Sequence, residues 1–159
     1  MEARKHYDNV YKAGIWSEDE LDPRKLSKLG LILKKLRPRR GEMLLDLGCG
    51  NGRYSKAFSL RGVSVIGLDI SRLALDLAKR QCVQCDLVLG TAEKLPFTHG
   101  TFDKVFCLDV IEHVQNDFEC LNEIIRVTKR SGILFASFPK DKKILKFSED
   151  SRLGHIHAY

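Results

Sequence analysis

Apolar and polar positions change their rhythm once along this chain. Leu26, Leu29, Leu33 and Leu36 recur at helical spacing and form one apolar stripe. Asp22-Pro23 opens that helix, because Asp caps a helix start and Pro suits the first helical position. Arg37-Pro38 closes it, since proline disfavours helical geometry in its predecessor. Downstream, short apolar runs read as buried strands: Met43–Leu47, Val63–Leu68, Asp86–Leu89, Lys104–Leu108 and Ile133–Phe138. Helical stretches separate most of them. One carries Tyr54, Ala57 and Leu60; a second starts at a Ser71 cap and carries Leu73, Leu75, Leu77 and Ala78. A third spans Phe118–Val127, with Leu121, Ile124 and Ile125 on one face. Strands alternating with helices predict an α/β fold, doubly wound, with a mostly parallel sheet of about five strands and right-handed crossovers. Such sheets bind ligands at the carboxyl ends of their strands. With no internal repeat, residues 1–159 read as one domain. Residues 1–40 form a lead-in and an N-terminal helix, 41–139 the core and 140–159 a C-terminal tail.

Two features fall at successive strand ends. Asp46-Leu47-Gly48-Cys49-Gly50-Asn51-Gly52 follows the first strand and precedes a helix. Alternating glycines there permit positive φ and let a ligand approach the backbone. The unpaired amides of a helix start can meet polar groups of that ligand. Asp69 ends the second strand, 21 residues after Gly48, where a carboxylate can accept from both hydroxyls of a ribose. Alone, such an Asp is as readily a helix cap; beside the glycine loop it points to a nucleoside. A dinucleotide fingerprint is G-x-G-x-x-G. Here the third glycine comes one position early, at Gly52, followed by Arg53, which argues against a nicotinamide-dependent oxidoreductase.

The G-x-G-x-G loop resembles that of class I S-adenosylmethionine (SAM)-dependent methyltransferases, and the likeness runs through residues 44 to 138. LLDLGCGNGRYS resembles the family's first motif, VIGLDIS its second, GTAEKLPF its third and FDKVFCLDVIEHV its fourth. EIIRVTKRSGILFASFP resembles its last helix and fifth strand. The resemblance implies a Rossmann-like fold and SAM as cofactor. It implies that Asp46, Gly48, Cys49, Gly50, Asn51 and Gly52 surround the methionine part of SAM. Asp69 would bind the ribose hydroxyls, Ile70 would pack on the adenine, and Thr91, Ala92 and Glu93 would sit around the adenine edge. Leu108 and Asp109 would line the methionyl side, with His113 near the methyl group. Asp109 has a second reading as a helix cap. His113 is either a general base, suited by a pKa near neutrality, or a residue that packs against SAM. Tyr7, Tyr11 and Trp16 either close over the cofactor or serve plain packing.

This chain departs from the family pattern in three places. Thr91 stands where the family commonly has Asp, and a hydroxyl accepts more weakly than a carboxylate. Arg130-Ser131-Gly132 replaces Pro-Gly-Gly as a turn variant before the fifth strand. After Pro139 only about twenty residues remain, too few for a helix plus a strand pair at ~11–12 and ~5–6 residues each. GHIHAY resembles the lead into that helix, so the chain reads as truncated, with an exposed edge strand that favours a homodimer.

Composition adjusts this picture only slightly. With 43% apolar and 30% charged residues and a charged N-terminus, the chain reads as a cytoplasmic protein without a signal peptide or membrane span. The net charge of +6 gathers at Arg24, Lys25, Lys28, Lys34, Lys35, Arg37, Arg39 and Arg40, and at Lys140, Lys142, Lys143 and Lys146. No aromatics interleave with these residues, so they read first as a solvated surface and second as a footprint for RNA. Five scattered cysteines argue against a secreted disulfide framework. Cys82-x-x-Cys85 lacks a second pair and reads as packing rather than as a metal or redox site. His155 and His157 lack a third ligand, so no metal site is expected. The chain therefore reads as a SAM-dependent methyltransferase acting on an unidentified acceptor, most simply a small molecule. The alternative is a SAM-binding module without independent activity, completed by a partner or a missing C-terminal segment.

Overall fold

A computed structural model describes residues 2–13 and 23–137. Helix α1 spans Glu2–Lys12 and α2 spans Pro23–Leu36; strand β1 is Met43–Leu47, followed by α3, Arg53–Ser59. Then come β2 (Ser64–Asp69), α4 (Arg72–Gln81), β3 (Asp86–Leu89) and β4 (Phe102–Cys107). A 3-10 turn, Ile111–His113, leads to α5 (Asp117–Val127) and β5 (Thr128–Ala136). All the strand pairs are parallel, in the order β3-β2-β1-β4-β5. The expected doubly wound α/β architecture is the observed one.

Alternation along the strands builds two cores. Leu45 and Leu47 join Val105, Cys107, Leu134 and Ala136 beneath α5, where Leu121, Ile124 and Val127 are buried. Leu44, Phe106 and Phe135 face the other way and pack with Ile32 and Leu36 of α2 and Phe58 of α3. Burying each such side chain stabilises the fold by about 1.5–3 kcal/mol. Phe106 sits at the centre of an aromatic group, with ring centroids 5.1 Å from Tyr54, 5.3 Å from Phe58 and 5.7 Å from Phe135.

Helix starts follow the expected chemistry. Pro23 is the first residue of α2, and the Ser71 hydroxyl accepts from the Ala74 amide to cap α4. Asn116 caps α5 in the same way through Glu119. Asp109, read alternatively as a cap, opens no helix.

Two expectations need correction. Arg130, Ser131 and Gly132 form no turn before β5; they lie inside it, since β5 begins at Thr128, directly out of α5. Their polar character hid the strand. The register with β4 jumps from Phe102↔Thr128 to Lys104↔Ile133, so a bulge absorbs the polar residues. Gly132 permits that bulge, because a Cβ there would lie 2.6 Å from Thr128 Cγ2 and 2.9 Å from the Lys129 carbonyl. Cys82 and Cys85, expected merely to pack, are joined by a disulfide. The turn after α4, closed by the Cys85 amide on the Cys82 carbonyl, brings their Cα atoms to 5.4 Å, within disulfide range. Both cysteines are nonetheless buried in the core, as are Cys107 and Cys120. Trp16, the Asp22 cap, Pro139, the C-terminal basic cluster, His155 and His157 lie outside the described residues. Among the described residues no helix is long and apolar enough to cross a membrane.

Candidate cofactor site

The strand order reverses between β1 and β4, so the chain leaves these neighbours toward opposite faces and a crevice opens between their carboxyl ends. The loop after β1 is stitched to β2, because the Gly48 and Cys49 amides both donate to the Leu68 carbonyl, at 2.7 and 3.1 Å. Gly48, Gly50 and Gly52 all hold positive φ, at 71°, 55° and 81°.

Asp46 lies beneath this loop, 1% exposed, and accepts from Ser55 Oγ at 2.6 Å. Burial pushes its carboxyl up to about 7 despite the Ser55 hydrogen bond, and the nearby Asp69 adds to the rise. The bond to Ser55 fixes the first turn of α3 from below. Gly52 also has a packing role: a Cβ there would sit 2.9 Å from Ala78 Cα, so its absence lets the start of α3 lie against α4.

Asp69 ends β2 and is buried at 9% exposure. One carboxylate oxygen accepts from the Gly50 amide and the other from the Ser71 amide, both at 2.8 Å. Burial nevertheless raises its pKa, and the Ser71, Gly50 and Ile70 amides offset that only in part. Each oxygen of an ionised carboxylate has two acceptor sites. Beside these amides the carboxylate can accept further donors, such as the hydroxyls of a vicinal diol.

A cavity of about 730 Å³ opens here, toward the upper end of the range for small-molecule sites. Gly48, Cys49, Gly50, Asn51, Asp69, Ile70, Thr91, Ala92, Glu93, Leu108, Asp109 and His113 all line it. Asp46 and Gly52 do not; they support the loop from behind.

Several of these residues have further partners. Glu93 Oε1 accepts from the Gln115 amide at 2.9 Å and the Asn116 amide at 3.3 Å, which ties the loop after β3 to the entry of α5. Thr91 forms a bridge with Lys94 and is exposed. Asp109 holds a φ of 54°, uncommon for any residue but glycine. Ser137 fixes it: the Ser137 hydroxyl donates to Asp109 Oδ1 at 2.7 Å and accepts from the Asp109 amide at 3.0 Å. Lys28 Nζ lies 3.4 Å from the other oxygen. His113 ends the 3-10 turn, exposed, with Tyr7 edge-on at a centroid distance of 6.1 Å.

Helix α1 covers part of the cavity. Tyr7 and Tyr11 line it, and the Tyr11 hydroxyl lies 2.6 Å from where a Cβ on Gly50 would be. Burial and the Asp69 charge push the Tyr11 hydroxyl well above its ordinary pKa.

Lys28, Arg53, Tyr54 and Ser137 were not predicted as site residues. Lys28, Arg53 and Tyr54 line the cavity, and Ser137 orders Asp109. Arg53 and Ser137 had a legible signal, since each follows a strand or its loop on the carboxyl rim. Lys28 reads in sequence only as one basic residue among many on its helix.

The family model for the methyltransferase domain matches residues 45–136. A ubiquinone biosynthesis O-methyltransferase of Dechloromonas aromatica is 34% identical over 105 residues, covering 61% of this chain and 44% of the relative. A malonyl-(acyl-carrier protein) O-methyltransferase of Yersinia pestis is 35% identical over 97 residues, covering 61% of this chain and 36% of the relative. Among solved structures, a Pyrococcus horikoshii protein matches with a TM-score of 0.68 at 28% identity, over 79% of this chain and 63% of that one. The chain spans about half the length of the curated relatives it matches. The family match runs from within β1 to the end of β5 and takes in the glycine loop, Asp69 and the rim after β4, so this chain belongs to the class I SAM-dependent methyltransferase family.

Proposed function

We propose that this chain binds SAM in the cavity between β1 and β4 and serves transfer of its methyl group to a small-molecule acceptor. The observation that carries this is Asp69, a buried carboxylate at the end of β2 that the Gly50 and Ser71 amides hold in place. That carboxylate suits the two hydroxyl donors of a ribose, and the glycine loop leaves backbone open to the rest of the nucleoside donor. SAM supplies an electrophilic methyl on a good leaving group, so the protein's main task is alignment.

The residues take the following roles. Asp69 accepts from the ribose hydroxyls and Ile70 packs on the adenine, whose edge faces Thr91, Ala92 and Glu93. Glu93 acts chiefly as a clamp on its own loop, since its Oε1 already accepts two amides. Gly48, Cys49, Gly50 and Asn51 surround the methionine part, with Leu108 and Asp109 opposite. His113 lines the cavity, where it either accepts a proton from an acceptor that must lose one or packs against the donor. Two relatives with small-molecule or carrier-bound acceptors in their names support an oxygen acceptor.

A second reading has its own support. The chain spans about half the length of its curated relatives, and on this reading it is a donor-binding module whose acceptor side a partner or further segment supplies. Incubation with methyl-labelled SAM and a panel of phenols and carboxylic acids separates the two. Label transfer, reduced in Asp69→Ala, supports the enzyme. SAM binding without transfer to any acceptor favours the module.

A further inference from the structure

Asp8 lies on α1, outside the cavity, yet it makes a side-chain bond to the far side of the same residue that fixes Asp69. Ser71 has two faces. Its amide donates to Asp69 Oδ1 at 2.8 Å, and its hydroxyl donates to Asp8 Oδ1. The same Asp8 oxygen accepts, at 3.4 Å, from the Leu73 amide in the first turn of α4. A carboxylate at a helix N-terminus is also favoured by the helix dipole. These bonds pull the Asp8 carboxyl below its ordinary pKa, the Ser71 hydroxyl contributing most.

The partners lie 63 and 65 residues apart in sequence, so the contact is tertiary. Tyr7 and Tyr11 sit on the same helix, one residue before Asp8 and three after it, and both line the cavity. Tyr7 meets His113 on the far wall, and Tyr11 lies over Gly50, whose amide holds the other Asp69 oxygen. One short helix thus touches both sides of the crevice, and Asp8 ties it to the start of α4.

We infer that Asp8 is a positioning residue: through Ser71 it latches α1 onto α4 and so holds Tyr7 and Tyr11 over the ribose-binding carboxylate. The latch rests on the SAM reading for its ligand but not for its existence. With the latch made, the tyrosines cover the donor and slow its escape. With it broken, α1 lifts and Asp69 is left open, while the sheet and both cores stay intact.

Two measurements test this. The first needs no ligand: amide hydrogen exchange across residues 2–13 in wild type, Asp8→Ala and Asp8→Asn. Asp8→Ala speeds exchange in α1 at least tenfold and leaves β1, β4 and α5 unchanged, whereas Asp8→Asn, which keeps the acceptor oxygen, stays near wild type. Unchanged exchange in Asp8→Ala overturns the latch. The second is SAM affinity and dissociation rate in a cycle of Asp8→Ala with the paired change Tyr7→Ala and Tyr11→Ala. Loss of one charge-assisted hydrogen bond weakens binding about tenfold, mostly through faster release. In the background lacking both tyrosines the same change has little further effect, because Asp8 acts through the helix that presents them. Additive losses overturn the positioning role. A wild-type chain that binds no SAM, but whose α1 exchange still depends on Asp8, overturns the cofactor reading and supports the latch alone.

Discussion

Gly52 offers a sharp test of why the loop has its glycines where it does, because the chain contains a matched control. Gly52 holds φ 81°, and a Cβ there would lie 2.9 Å from both Cα and Cβ of Ala78 and 3.3 Å from its carbonyl oxygen. Gly41 holds φ 83°, yet nothing lies within 4 Å of its Cβ position. Alanine at either site adopts a left-handed conformation at a cost of about 1–2 kcal/mol. The stiffer unfolded chain returns about 0.4–1 kcal/mol of that. Gly41→Ala should therefore lose about 1 kcal/mol. Gly52→Ala carries the same strain plus overpacking of about 1–3 kcal/mol, since Ala78 is wholly buried in α4 and its backbone cannot swing aside. The expected total is about 2–4 kcal/mol. Urea denaturation of both variants, analysed with a common slope, measures the difference directly. Equal losses within about 0.5 kcal/mol would show that the α3–α4 approach is not what requires glycine at position 52.

Asp46→Asn gives a pH signature. The Asp46 carboxyl is raised to about 7, so the folded state holds its proton where the unfolded chain has released it. Its contribution to stability is full in acid, below the ordinary carboxylate pKa, and is lost as pH rises toward and through 7. The neutral asparagine lacks this loss, so the variant should gain about 2 kcal/mol on wild type between pH 5 and pH 7; parallel stability curves would contradict the assignment. Arg126→Ala probes the loop between β3 and β4. Arg126 donates to the Phe97 carbonyl at 2.7 Å and the Leu95 carbonyl at 3.0 Å, and pairs with Glu123, which accepts from the Leu95 amide. Its loss should cost about 1–3 kcal/mol and speed amide exchange at residues 94–97, and unaltered exchange there would remove the clamp.

Much of the fold was legible because strand and helix periods are distinct and caps are chemically marked. Leu44 through Leu47 announce a buried strand, and Ser71 announces the start of α4. The first half of β5 was not legible: Lys129, Arg130 and Ser131 are exposed, so they lack the apolar signature, and a bulge makes their pairing irregular. Within the site, the glycine loop and Asp69 were legible from their spacing, whereas Ile70, Thr91, Ala92, Glu93, Leu108, Asp109 and His113 followed only from the family resemblance. Asp46 and Gly52, expected around the methionine part of SAM, stand behind the loop instead, because whether a residue faces a ligand or the core depends on packing, and Ser55 and Ala78 decide it here. Lys28 and Asp8 were beyond sequence reasoning, because each acts on residues more than 60 positions away in the chain. The disulfide was hidden for a similar reason, since only the turn after α4 shows that the two thiols meet.

The measurement closest to the central claim is calorimetric titration of the purified chain with SAM, with NAD as control and Asp69→Ala as the variant. Saturable one-site binding of SAM, no binding of NAD, and a loss of at least a hundredfold in Asp69→Ala are predicted, since two hydrogen bonds to a charged acceptor are each worth about 1.5–3 kcal/mol. SAM binding that survives Asp69→Ala in a folded variant, or no SAM binding by the folded wild-type chain, would contradict the account.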